Sequence, residues 1–123
     1  MSNVFFFDTY ALIEIYKGNQ NYEKYKGKVK MLITGLNILE YVYFLLREKR
    51  ESEIEEAFSN LSRYMVKYDK EIIINTAKMK HKYSKEKLSF IDCIGYLVAL
   101  RYKAKFLTGD EKFKDKENVE FVK

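Results

Sequence analysis

Four of the 18 acidic residues in this sequence of 123 stand among apolar neighbours, where an unpaired carboxylate is costly. Asp8 follows Val4, Phe5, Phe6 and Phe7 directly. Glu40 lies between Ile38-Leu39 and Tyr41-Val42, Asp92 interrupts Phe90-Ile91 and Cys93-Ile94, and Asp110 comes just after Phe106-Leu107-Thr108-Gly109. Each has an ordinary structural explanation: Ser89 and Asp92, like Asn37 and Glu40, have capping-box spacing, and Asp8 and Asp110 suit plain helix N-caps. As a set they point to chemistry. Four carboxylates in one pocket cannot all stay ionised cheaply without a cation. Oxygen ligands with no Cys–His cluster beside them select Mg2+ or Mn2+ over zinc. Such ions suit phosphodiester hydrolysis, because they turn a water into a nucleophile and neutralise charge growing on the phosphate.

The elements that must position these acids alternate between extended and helical patterns. Residues 3–7 and 29–34 read as strands, with Asp8 capping a helix over 9 to about 17 that Gly18 and Asn19 stop. A short helix is expected over 21–26. Residues 36–50 and 51–65 read as two helices in a hairpin, the first with Asn37 as its cap, and 66–68 as a brief strand. Helices are expected over 70 to about 85 and 89 to about 103, then strands at 105–107 and 119–122. Strands alternating with helices argue for an α/β sandwich around a parallel sheet. Asp8 and Asp110 then fall at the C-terminal ends of strands, the edge where open α/β sheets bind ligands. Glu40 and Asp92 begin helices that can face the same edge, with helix N-termini easing the repulsion.

The chain length fits one domain, residues 1–123, with no Pro-, Gly- or Ser-rich linker, repeat or low-complexity tract. A 47% hydrophobic content supports a packed core. The N-terminal stretch lacks the basic region of a secretory signal, and no apolar run reaches the roughly 20 residues needed to span a bilayer. The single Cys93, in an apolar run, reads as a reduced core thiol, so a soluble cytoplasmic protein is expected. A net charge of +5 favours polyanionic partners, although lysines spread over solvated helix faces give the same total.

Taken in order, these segments resemble the PIN-domain nucleases, in particular the compact toxins of the VapC type. Phe7-Asp8-Thr9 is similar to the family's first-strand Asp followed by a small hydroxyl residue. The strand, turn and helix from Thr34 to Glu40 are similar to the segment bearing the family's Glu. Phe90-Ile91-Asp92-Cys93-Ile94-Gly95 resembles the third acid within a largely apolar helix, and Thr108-Gly109-Asp110-Glu111-Lys112-Phe113 the late T-x-D-x-x-F signature. The resemblance implies an α/β, three-layer PIN-like sandwich with a central, mainly parallel sheet of about five strands flanked by helices. It also implies an Mg2+- or Mn2+-dependent endoribonuclease, with Asp8, Glu40, Asp92 and Asp110 as metal ligands. Thr108 would orient Asp110 or a metal water, Thr9 would do the same near Asp8, and Glu111 and Asp115 are candidates for a fifth acid. An antitoxin protein and a homodimer are the expected partners, the antitoxin lying in a groove formed partly by the hairpin around Tyr41 to Leu46. The alternatives are a PIN nuclease of RNA processing or DNA repair, or a non-catalytic RNA- or protein-binding PIN-like module.

The remaining chemistry-bearing residues read as structural. His81, the only histidine, is set among Lys78, Lys80 and Lys82 and reads as a solvated residue. Cys93 adjoins an acid, which raises a thiol pKa and disfavours a nucleophile. Lysines 78, 80, 82, 85 and 87 suit RNA phosphates and a plain solvated face equally.

Overall fold

Val4–Phe7 forms the first strand, β1, and the chain then crosses through α1 (Thr9–Tyr16) and a 3-10 turn at Gln20–Tyr25 to β2 (Lys30–Leu32). Four helices follow: α2 (Gly35–Arg47), α3 (Ile54–Ser62), α4 (Lys70–Lys82) and α5 (Phe90–Arg101). The chain returns to the sheet as β3 (Lys105–Thr108) and β4 (Val119–Phe121). This computed structural model describes residues 3–123; Met1 and Ser2, the start of the stretch read against a secretory signal, lie outside the described residues.

All the strand pairings are parallel, in the order β2-β1-β3-β4. The four-stranded sheet is one strand short of expectation. The brief strand expected at 66–68 does not form; a single bridge stands just before it, between Ile33 and Met65, with the Val66 amide donating to the Ile33 carbonyl at 2.8 Å. Pairing goes no further because Thr34 already caps α2 and Asp69 caps α4, so both backbones turn away. The 51–65 helix is likewise shorter, a 3-10 turn at Glu51–Glu53 followed by α3.

A parallel sheet needs cover on both faces, and the alternation of side chains along the strands supplies it. Phe6 and Phe106 lie on one face, ring centroids 6.0 Å apart, packed with Ile72, Met79, Val98 and Phe113. Phe7 and Leu107 lie on the other, with Ala11, Leu12, Tyr22 and Ile38. Complete burial of Phe6 or Phe106 contributes roughly 1.5–3 kcal/mol each. Helix α5 approaches closely because residue 95 is glycine: a Cβ there would lie 2.7 Å from the Phe6 ring. The result is three layers, helix–sheet–helix. Among the described residues no helix is long and apolar enough to cross a membrane.

The strand order places β1 and β3 side by side, with the connection leaving β1 running to β2 on one side and that leaving β3 to β4 on the other. That switch opens a crevice at the carboxyl ends of β1 and β3, and Asp8 and Asp110 follow those two ends.

Candidate active site

Asp8 is the residue at which β1 stops. Its amide donates to the Leu107 carbonyl at 3.0 Å, holding it beside β3. Its carboxylate then caps α1, accepting from the Thr9 amide at 2.9 Å through Oδ1. Oδ2 accepts from Thr108 Oγ1 at 2.7 Å. The Asp8 side chain is buried, 3% exposed.

Thr108 thus serves Asp8, a contact additional to the Asp110 or metal water that the resemblance implied for it. The same hydroxyl oxygen accepts from the Asp110 amide at 3.1 Å, so one side chain links both acids. Asp110 caps the short turn at Glu111–Phe113, accepting from the Lys112 amide at 3.0 Å. Phe113 anchors that turn, fully buried with its ring centroid 5.0 Å from that of Phe106. Gly109 completes the segment by close approach: a Cβ there would fall 2.3 Å from the Tyr10 ring and 2.4 Å from the Val122 carbonyl.

Glu40 arrives from α2. Its cap is Thr34, not Asn37: the Thr34 hydroxyl accepts from the Leu36 amide, and Asn37 Oδ1 accepts from the Thr34 amide at 2.9 Å. This reciprocal box leaves Glu40, one turn further on, free to face the crevice. Thr9 Oγ1 donates to Glu40 Oε1 and accepts from Asn37 Nδ2 at 3.1 Å. Thr9 therefore orients Glu40 with its hydroxyl, while its amide meets the Asp8 carboxylate near which the resemblance set it. Asp92 arrives from the first turn of α5, where its amide donates to the capping Ser89 Oγ at 3.0 Å.

The four acids line one cavity of about 340 Å³, together with Thr9, Tyr10, Tyr43 and Arg47. Burial, then the negative charges of Asp92 and Glu40, push the Asp8 carboxyl well above the ordinary range, against the lowering hydrogen bonds from Thr108 and Thr9. Burial also pushes Asp92 up to about 6, with Glu40 and Asp110 adding to it and hydrogen bonds with Ser89 and Asp8 opposing. Such a set holds a proton that a cation would displace.

The donor set fits a hard divalent ion: carboxylate oxygens, with Thr hydroxyls positioning them. Among the described residues no three His, Cys, Asp or Glu side chains are drawn into a closed metal cage. The softer ligands lie elsewhere. Cys93 is buried in the core, its thiol pushed up by burial and then by Asp92. His81 lines a separate groove with Lys80 and Phe90.

Asp115 and Glu111 do not join the cluster. Asp115 lines a different cavity beside Lys78, Lys82 and Lys116, and Glu111 pairs with Lys123 at 3.1 Å. Lys80 is a structural tie, donating to the Leu88 carbonyl at 2.6 Å. Among the described residues, the one cation lining the acid cavity is Arg47. Sequence reading missed its position and that of Asn37 as a positioning residue. Both left a signal: Asn37 follows Thr34 by three residues, and Arg47 follows Glu40 by seven on one helix.

The family model of the PIN domain matches residues 5–119. No curated protein matches the sequence. Among solved structures, the fold is similar to a chain of a toxin–antitoxin complex from Klebsiella pneumoniae (18% identity, 94% of each chain covered, TM-score 0.73). It is also similar to a chain of VapBC2 from Rickettsia felis bound to a promoter DNA fragment (16% identity, 97% of each chain, TM-score 0.71). A third is PAE2754 from Pyrobaculum aerophilum, at 18% identity over 99% of this chain and 92% of that one, with a TM-score of 0.70. At these identities the likeness is one of fold.

Proposed function

Because the chain belongs to the PIN domain family, a family of nucleases, we propose that it is a metal-dependent endoribonuclease, using Mg2+ or Mn2+ to hydrolyse RNA phosphodiester bonds. We further propose that residues 1–123 act as a single nuclease domain in the cytoplasm, as the toxin of a VapBC-type toxin–antitoxin pair. The observation that carries the nuclease reading is the convergence of Asp8, Glu40, Asp92 and Asp110 on one cavity from four separate elements. The toxin assignment draws support from the titles of two structural neighbours, a toxin–antitoxin complex and VapBC2. An antitoxin protein and a second copy of the chain are the partners this reading supplies.

In this mechanism Asp8, Glu40, Asp92 and Asp110 would hold the ion or ions at the crevice. When bound, the ion supplies Lewis acidity: it makes a water nucleophilic near neutral pH and offsets charge developing on the phosphate. Thr108 fixes the Asp8 carboxylate by its 2.7 Å hydrogen bond, and Thr9 fixes Glu40. The backbone amides of Thr9 and Lys112 occupy one oxygen each of Asp8 and Asp110, which sets the direction of the remaining lone pairs. Asp92 and Asp8, the two carboxyls whose pKa is raised, would have to be deprotonated to hold such an ion.

The test is cleavage of RNA by the purified chain with Mg2+ or Mn2+, compared with Asp8→Asn and Asp92→Asn. Each substitution is expected to cost more than the roughly 10- to 100-fold typical of an outer-shell residue. Activity that survives both substitutions and added EDTA would overturn the reading.

A further inference from the structure

Glu40, Tyr43 and Arg47 are spaced three and four residues apart on α2, so they stand along one helix face and all border the same cavity. Tyr43 is 62% exposed although it is aromatic. The Arg47 guanidinium carbon lies 5.8 Å from the Tyr43 ring centroid. Arg47 has no carboxylate partner among the described residues, whereas Arg50 pairs with Glu53 and Arg101 with Asp69 and Glu71. A cavity lined by four acids repels a polyanion, and Arg47 is the cation on its wall. Its backbone stands two turns, roughly 10 Å of rise, from that of Glu40, a separation that suits a phosphate beside the one held over the acids.

We propose that Tyr43 and Arg47 form a nucleotide clamp at the rim of the carboxylate cavity: the Tyr43 ring takes the face of an unpaired base, and Arg47 takes a phosphate neighbouring the one to be cut. The clamp rests on the ribonuclease reading and specifies its substrate as a single strand. A base can lie flat on an aromatic ring only when it has left its own stack, and every base offers such a face, so the contact selects for strandedness and tolerates sequence. Arg47 suits this place because a guanidinium stacks on an aromatic ring while its N–H edge still meets phosphate oxygens.

The experiment measures cleavage of a single-stranded oligoribonucleotide and of its duplex in Mg2+, and anisotropy binding of the labelled single strand in EDTA across a salt series. Both side chains are exposed, so stability is expected to change little on substitution. Tyr43→Ala is expected to raise KM and the dissociation constant about tenfold with kcat nearly unchanged, and Tyr43→Phe to retain both. Arg47→Ala is expected to weaken binding and reduce the log–log salt slope by about 0.7, a loss Arg47→Lys largely avoids. Wild-type preference for the single strand completes the expected result. If wild type cuts RNA but Tyr43→Ala and Arg47→Ala do so with unchanged KM, the clamp is wrong and the exposed ring belongs to a protein contact, while the nuclease stands. If wild type neither binds nor cuts RNA, the nuclease reading fails and the clamp fails with it.

Discussion

Thr108 Oγ1 donates to Asp8 Oδ2 at 2.7 Å across a sequence separation of 100 residues. The contact joins the end of β3 to the end of β1, inside a site where both groups are buried. Burial makes the donor valuable, since a carboxylate deprived of it loses a hydrogen bond with no water to replace it.

Thr108→Val is therefore expected to lower catalytic efficiency roughly 10- to 100-fold and to weaken metal affinity similarly, the usual effect of losing a group that orients a ligand. Thr108→Ser, which keeps the hydroxyl, is expected to retain most of both. Metal titration of the RNA cleavage rate distinguishes the pair.

The raised pKa of Asp92, about 6, predicts how stability depends on pH. In the unfolded chain an Asp titrates near 3.9, so the folded protein holds the proton more tightly. Its contribution to stability is full below about pH 4 and is lost as pH rises through about 6. Urea unfolding in EDTA is thus expected to show Asp92→Asn more stable than wild type at pH 7–8, by on the order of 1–3 kcal/mol, with the gap closing at low pH. Adding Mg2+ should stabilise wild type and leave the variant unmoved. The buried Asp8 carboxyl shifts in the same direction and reinforces the trend.

Asn37 is 1% exposed and bonds both Thr34 and Thr9. Asn37→Ala removes half of the capping box and the support beneath the hydroxyl that orients Glu40. A loss of about 1–3 kcal/mol is expected from the unsatisfied buried groups, together with a weaker metal dependence of cleavage. Urea midpoints and metal titration read the two effects separately.

Much of this site was legible because its acids violate local pattern. Asp8 and Asp110 end strongly apolar strands, and Asp92 interrupts an apolar helix, so single-residue context exposed them. The hydroxyl partners were harder: the resemblance placed Thr108 with Asp110 and Thr9 near Asp8, and the donations of Thr108 to Asp8 and of Thr9 to Glu40 were not foreseen. Which acid a hydroxyl reaches depends on strand register and helix tilt, and neither is written locally. Asn37 was read as a cap of α2 when it is the third residue inside the box that Thr34 opens. The missing fifth strand has the same origin. Apolar character at residues 66–68 was visible, but whether it could extend its pairing with Ile33 depended on two caps, Thr34 and Asp69, that turn both backbones away.

Gly109 gives a steric prediction. Gly109→Ala sets a Cβ against the Tyr10 ring and the Val122 carbonyl, at 2.3 and 2.4 Å in the unrelaxed geometry. Over-packing of this kind costs roughly 1–3 kcal/mol, and the backbone shift carries Asp110 with it. Thermal unfolding and metal affinity are both expected to suffer. Tyr10→Ala is expected to restore the protein only in part, because a backbone carbonyl still opposes the new methyl.

The strand order carries a consequence for synthesis. β1 precedes β3 by about a hundred residues in the chain, yet its central place in the sheet requires pairing with β3. Pairings so distant in sequence form slowly, because loop closure precedes their reward. A nascent chain ending before β3 has Asp8, Glu40 and Asp92 already translated but lacks the strand that brings Thr108 and Asp110 to them. The carboxylate cluster is therefore completed only once β3 has been made and has paired with β1.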